Sequence, residues 1–153
     1  MEHREKSLDT AALLESYRAL LQTVDALPLA ITGSSMTPFL VPRRDSVLLT
    51  RPPARLRRGD IALYRRENGA YVLHRVYRVQ PDGYVMLGDA QQTPERGVRS
   101  EQVVAVVQSA LRKGKRQQKG CFWWEFFAHV WLRLVPLRPT LLRGYQIIFG
   151  RKA

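Results

Sequence analysis

At 153 residues and 45% apolar content, the chain is long enough for one domain with a buried core and too apolar to be read as disordered. Its net charge of +12 favours anionic partners, either phospholipid headgroups or nucleic acid, and its single cysteine, Cys121, excludes an internal disulfide. Residues 1–10 mix acids and bases and lead into no uninterrupted apolar stretch, so the N-terminus does not read as a secretory signal, and no run long enough to cross a membrane follows. The expected location is therefore the cytoplasm or the periphery of a membrane.

Ser7 or Asp9 can cap a helix reaching to about Asp25, with Leu13, Leu14, Tyr17, Leu20, Leu21 and Val24 as one apolar stripe. Pro28 is expected to end this first segment, residues 1–28. Residues 29–111 read as mainly β. Strands are expected at Val47–Thr50, Ile61–Tyr64, Tyr71–Val79, Tyr84–Leu87 and Val103–Val107. Asn68-Gly69 predicts a type I′ hairpin turn, and Gln91 to Arg99 reads as a polar loop. Along Tyr71–Val79, alternation sends Tyr71, Leu73, Arg75, Tyr77 and Val79 to one face and Val72, His74, Val76 and Arg78 to the other.

Residues 112–120 read as a basic linker. Beyond it, Phe122, Trp123, Phe126, Phe127, Val130, Trp131 and Leu134 recur at helical spacing in a final segment, 121–153, that also holds the apolar piece Tyr145–Phe149. From Arg112 to Lys152 there are ten basic residues against one acid, Glu125. Arg112, Lys113, Lys115, Arg116 and Lys119 beside Trp123, Trp124 and Trp131 suit an anionic membrane surface, where indoles and cations each find a mixed environment. The alternative is that these aromatics pack on the β domain.

The stretch Gly33-Ser34-Ser35-Met36-Thr37-Pro38 holds a serine pair between a glycine and a proline, in a position to be a turn or an exposed nucleophile. A serine nucleophile needs a base. No lysine lies between Lys6 and Lys113, and His74 is the only histidine of the β region, so the imidazole is the group suited to that task. Asp89 or Glu95 is available to orient it, as in a Ser-His-Asp arrangement.

The order Gly-x-Ser-Met-x-Pro, Arg58-Gly-Asp-Ile61, His74-Arg-Val76 and Gly88-Asp89 resembles the type I signal peptidase family. Within it, the chain looks closest to the Ser-His branch of the endoplasmic reticulum, archaea and spore-forming bacteria. The resemblance spans roughly residues 31–107. It implies a signal-peptidase-like β fold, Ser35 as nucleophile, His74 as general base, and Asp89 with Glu95 as the acidic positions. Glu95 stands where the branch usually carries a second aspartate. The resemblance further implies an oxyanion site formed by the Ser35 backbone N–H, with Ser34 as a weaker second donor. The serine hydroxyl that some members supply is replaced by Gly33, which is expected to permit a tight turn. Pro38 would stiffen the loop, and Met36 would sit beside the cleft or in the core. The implied activity is cleavage of an extended signal or leader peptide, with no metal or cofactor. The alternative is an inactive peptide-, membrane- or nucleic-acid-binding module of the same fold.

Overall fold

The computed structural model describes residues 12–150. Their architecture is mainly β, an eight-stranded antiparallel sheet in the order β1-β2-β7-β3-β4-β5-β6, with β8 paired to β7. The strands are β1 (Ala26–Ala30), β2 (Ser46–Thr50), β3 (Ile61–Arg65), β4 (Tyr71–Gln80), β5 (Gly83–Leu87), β6 (Glu95–Val98), β7 (Val103–Arg112) and β8 (Lys115–Gln117). Strand β3 is central and covered on both sides. Ile61 and Leu63 enter one apolar cluster, with Leu49, Phe39 and Phe127. Ala62 and Tyr64 enter the other, with Val76, Met86 and Val98. This is the period-two alternation of a strand buried on both faces.

Residues 12–20 (α1) are helical, and the expected caps at Ser7 and Asp9 lie outside the described residues. The helix does not reach Asp25, and Pro28 lies inside β1 instead of ending a helix. Proline is tolerated there because β1 is an edge strand, bonded only to β2. Only half of the expected stripe is covered. Leu14, Tyr17 and Leu21 are buried, while Leu13, Leu20 and Val24 stay exposed. The Tyr17 hydroxyl donates to the Pro28 carbonyl at 2.8 Å and ties the segment to β1.

Three local expectations are corrected. Glu95–Val98 is a strand, hidden in the sequence by its charges and Gly97, and held by pairing of Tyr84 with Val98 and Met86 with Glu95. The expected basic linker is a hairpin, since β7 runs on to Arg112 and turns back into β8. Its turn residues Lys113 and Gly114 both have positive φ, the type I′ pattern expected at Asn68-Gly69, where only Gly69 is left-handed. A bulge in β4 between Val76 and Arg78 also shifts Val79 onto the face of Val72 and Val76, away from Tyr71 and Leu73.

The C-terminal segment is helical but broken: α2 (Phe122–Glu125), a π turn (Phe126–Val130), short 3-10 turns, and α3 (Arg138–Phe149). Among the described residues no helix is long and apolar enough to cross a membrane. Trp124 and Trp131 are buried and Arg112 is turned inward, so these three are not the lipid-facing groups expected of them. Packing decides this. The Trp124 and Phe127 rings lie 5.9 and 5.0 Å from Phe39, and Arg112 donates to the carbonyls of Phe39 and Pro38 at 2.6 and 3.3 Å.

Candidate active site

Ser35 sits in a compact turn that leads out of β1. Thr37 N–H donates to the Ser34 carbonyl at 3.1 Å, and Leu40 N–H to the Met36 carbonyl at 2.9 Å. The Thr37–Pro38 bond is cis. Met36, Phe39 and Leu40 plunge into the core, so the turn is anchored on one side and presents the half-buried Ser35 on the other. Met36 is thus both a core residue and a wall of the groove. Ser34 and Gly33 are exposed. A Cβ on Gly33 would meet nothing within 4 Å, and its φ is not left-handed, so this turn does not require glycine.

Ser35 and His74 are walls of one groove of about 570 Å³, together with Ile31, Met36, Leu63, Tyr71 and Gln91. Among the described residues the two share no hydrogen bond. Such bonds commonly close only when substrate enters. Two unpaired backbone edges flank the groove. One is the outer edge of β1, and the other is residues 71–74 of β4, since pairing with β5 begins at Arg75.

His74 is buried, and its Nδ1 lies 3.1 Å from the Tyr64 hydroxyl. That hydroxyl donates to Glu95 Oε2 at 2.6 Å, and Arg66 clamps the same carboxylate through three contacts of 2.9 to 3.2 Å. The phenol has one proton, and Glu95 receives it. The Tyr64 oxygen therefore accepts from His74 Nδ1–H, which leaves Nε2 as the bare lone pair. Burial pushes the Tyr64 phenol far above its usual range, reinforced by the Glu95 hydrogen bond, so it stays protonated. Burial alone would raise Glu95, but hydrogen bonds from Arg66 and Tyr64 outweigh it and hold the carboxyl below its usual value. Burial, with Arg66 second, lowers His74 to about 4 against an opposing pull from Glu95 and Asp89. The imidazole is therefore neutral near pH 7 and able to accept a proton.

Asp89 is placed differently. His74 and Arg75 are neighbours on β4 and point to opposite faces. On its own face Arg75 holds Asp89 in a fully buried fork of 2.9 and 2.8 Å and reaches the Gly59 carbonyl at 3.0 Å. Of the two acidic positions, Glu95 is the one linked to His74, through Tyr64, and Asp89 holds the turn beside Ser35. That turn is close. Ala90 N–H donates to the Ser35 carbonyl at 2.9 Å, and a Cβ on Gly88 would stand 2.6 Å from the same oxygen.

No protein-family model matches the chain, and no curated protein does. Tyr64, Arg66, Arg75 and Gln91 are site residues that sequence reasoning missed. For Tyr64 a signal existed, because a phenol inside the fully apolar run Ile61–Tyr64 must find a polar partner. Among the described residues no three His, Cys, Asp or Glu side chains converge as a metal site.

Proposed function

We propose that the chain is a serine endopeptidase of the signal peptidase type that cuts an extended leader or signal peptide. The observation that carries this reading is the fixed tautomer of His74. Its Nδ1–H is committed to Tyr64, and through that hydroxyl to Glu95, which leaves Nε2 free on a residue that lines the same groove as Ser35. A substrate strand pairs along the open edge of β1 or of residues 71–74, the usual way an extended peptide adds to a sheet. Ser35 Oγ attacks the scissile carbonyl while His74 Nε2 takes its proton, and the Ser35 N–H, which has no backbone acceptor among the described residues, receives the oxyanion. His74 then returns the proton to the leaving amine, and water hydrolyses the acyl-enzyme by the reverse route. The imidazolium formed in each half is stabilised through the polarised Tyr64 hydroxyl. The mainly apolar groove fits small or aliphatic residues before the cut.

Cleavage of a panel of leader peptides by wild type, Ser35→Ala and His74→Ala tests this. Both variants lose at least a thousandfold in kcat if the assignment holds, as expected when nucleophile or base is removed from a unit that acts together. Equal cleavage by Ser35→Ala sinks it. Peptide binding without turnover in the wild type leaves the binding-module reading.

Peripheral attachment to anionic lipid belongs to the same proposal. Phe122, Trp123, Ile147, Ile148 and Phe149 are exposed, and the hairpin of Lys113, Lys115 and Arg116 adds exposed cations. Sedimentation with anionic vesicles, with zwitterionic vesicles and with duplex DNA across a salt series separates lipid from nucleic acid. Retention by anionic vesicles that Trp123→Ser weakens supports the lipid reading, and tighter binding to DNA refutes it.

A further inference from the structure

The C-terminal segment does more than cover the sheet. Arg138 is completely buried at the start of α3, although its sequence context of tryptophans and cations suggests an interfacial residue. Its Nη1 donates to the Gly88 carbonyl at 3.0 Å and to the Gln91 carbonyl at 2.8 Å, and its Nη2 to the Trp131 carbonyl at 3.1 Å. Trp131 Nε1–H donates in turn to the Asp89 carbonyl at 2.8 Å, and the Arg138 guanidinium lies 5.4 Å from the Trp131 ring centroid. Three carbonyls of the Gly88–Gln91 turn are thus held by two side chains more than forty residues away.

This placement is costly. The acid closest to hand, Asp89, is already spent on Arg75, and Arg138 Nε has no hydrogen-bond partner among the described residues. A fully buried cation with an orphan donor is poor value as a stabiliser. Its geometry is its use, because a planar fan of donors can gather carbonyls that diverge around a tight turn.

The turn so gathered is the one that seats Ser35. Ala90 N–H bonds the Ser35 carbonyl at 2.9 Å, and Gly88 packs against that same oxygen. On the far side of the nucleophile turn, Trp124 and Phe127 press on Phe39. We infer that Arg138 and Trp131 are positioning residues. They fix the Gly88–Gln91 turn, and through Ala90 they set the backbone of Ser35. The consequence for turnover rests on the peptidase reading, whereas the mechanical tie does not.

Backbone amide exchange, measured residue by residue, tests the tie without reference to activity. In folded Arg138→Ala, the Ala90 and Gln91 amides exchange at least tenfold faster than in wild type, while the amides of β3 are unchanged. Millimolar guanidinium, but not sodium at equal ionic strength, restores their protection by refilling the site. Should Arg138→Ala fail to fold, Trp131→Phe keeps the ring and removes only the donor to Asp89, and it raises exchange at the same turn. Unchanged Ala90 exchange in the folded variant overturns the inference, as does a uniform rise across the sheet. Activity is the second readout. In an active enzyme, kcat for Arg138→Ala falls by about 10²-fold with KM nearly constant, the scale expected when a reacting group is displaced by about 1 Å. If wild type cleaves nothing, the peptidase reading fails and the exchange data still decide the tie.

Discussion

Removing one oxygen atom tests the chain of contacts behind His74. Tyr64→Phe keeps the buried ring and its packing but deletes the hydroxyl that accepts from His74 Nδ1–H and donates to Glu95. In the peptidase reading, the imidazolium formed during attack donates to an oxygen already polarised by a carboxylate. Hydrogen bonds to charged groups contribute roughly 1.5–3 kcal/mol. At 1.36 kcal/mol per factor of ten, the loss corresponds to about a 10- to 100-fold fall in kcat. Nδ1–H is also left buried without a partner, so the variant loses about 1–3 kcal/mol of stability. The assays are leader-peptide hydrolysis, fluorophosphonate labelling of Ser35 and chemical denaturation. Glu95→Gln should fall by a similar factor, and the double variant should fall little further, since both changes break one path. A Tyr64→Phe enzyme within twofold of wild type, or fully additive losses, refutes the relay.

Other outcomes follow from the same geometry. His74 titrates at about 4 when folded and near 6.5 when unfolded, so between these values the unfolded state binds the extra proton and stability falls as pH is lowered. Between pH 7 and pH 4 the wild type should lose about 3 kcal/mol more than His74→Gln does, read by denaturant titration, and equal losses would show that the imidazole is not held neutral. The same direction places the acidic limb of kcat/KM near pH 4, well below that of an ordinary histidine, and Arg66→Met, which removes a cation that lowers His74, should move the limb upward. Gly88→Ala should abolish serine labelling and lower the melting temperature, because the added methyl would overlap the Ser35 carbonyl. Gly33→Ser, by contrast, has room and should fold normally, and a hydroxyl there, as a new oxyanion donor, should raise kcat by about tenfold.

The sequence carried some of this plainly. The absence of lysine between Lys6 and Lys113 and the presence of one histidine in the β region make His74 the candidate base from the residues alone, and alternation in Tyr71–Val79 sets it on the face opposite Arg75. The bulge at Tyr77 was not legible, because one extra residue reverses the faces beyond it while leaving the pattern of residue types unchanged. The link from His74 to Glu95 was not legible either. It runs through Tyr64 on a different strand and depends on β6, whose four residues Glu-Arg-Gly-Val carry no strand pattern of their own. The role of Arg138 was not legible for a different reason. Arginine beside tryptophan reads the same whether both face lipid or both face carbonyls, and only burial separates the two.

The dependence of the Ser35 seat on Arg138 also orders events in time. A growing chain exposes its serine, its histidine and most of its sheet well before residue 138 has been made. Until then the Gly88–Gln91 turn lacks the donors that gather its carbonyls, and Ser35 lacks the backbone contact that depends on that turn. In the peptidase reading, the seat of the nucleophile is therefore completed only once residue 138 has been made, after the serine and the histidine it serves.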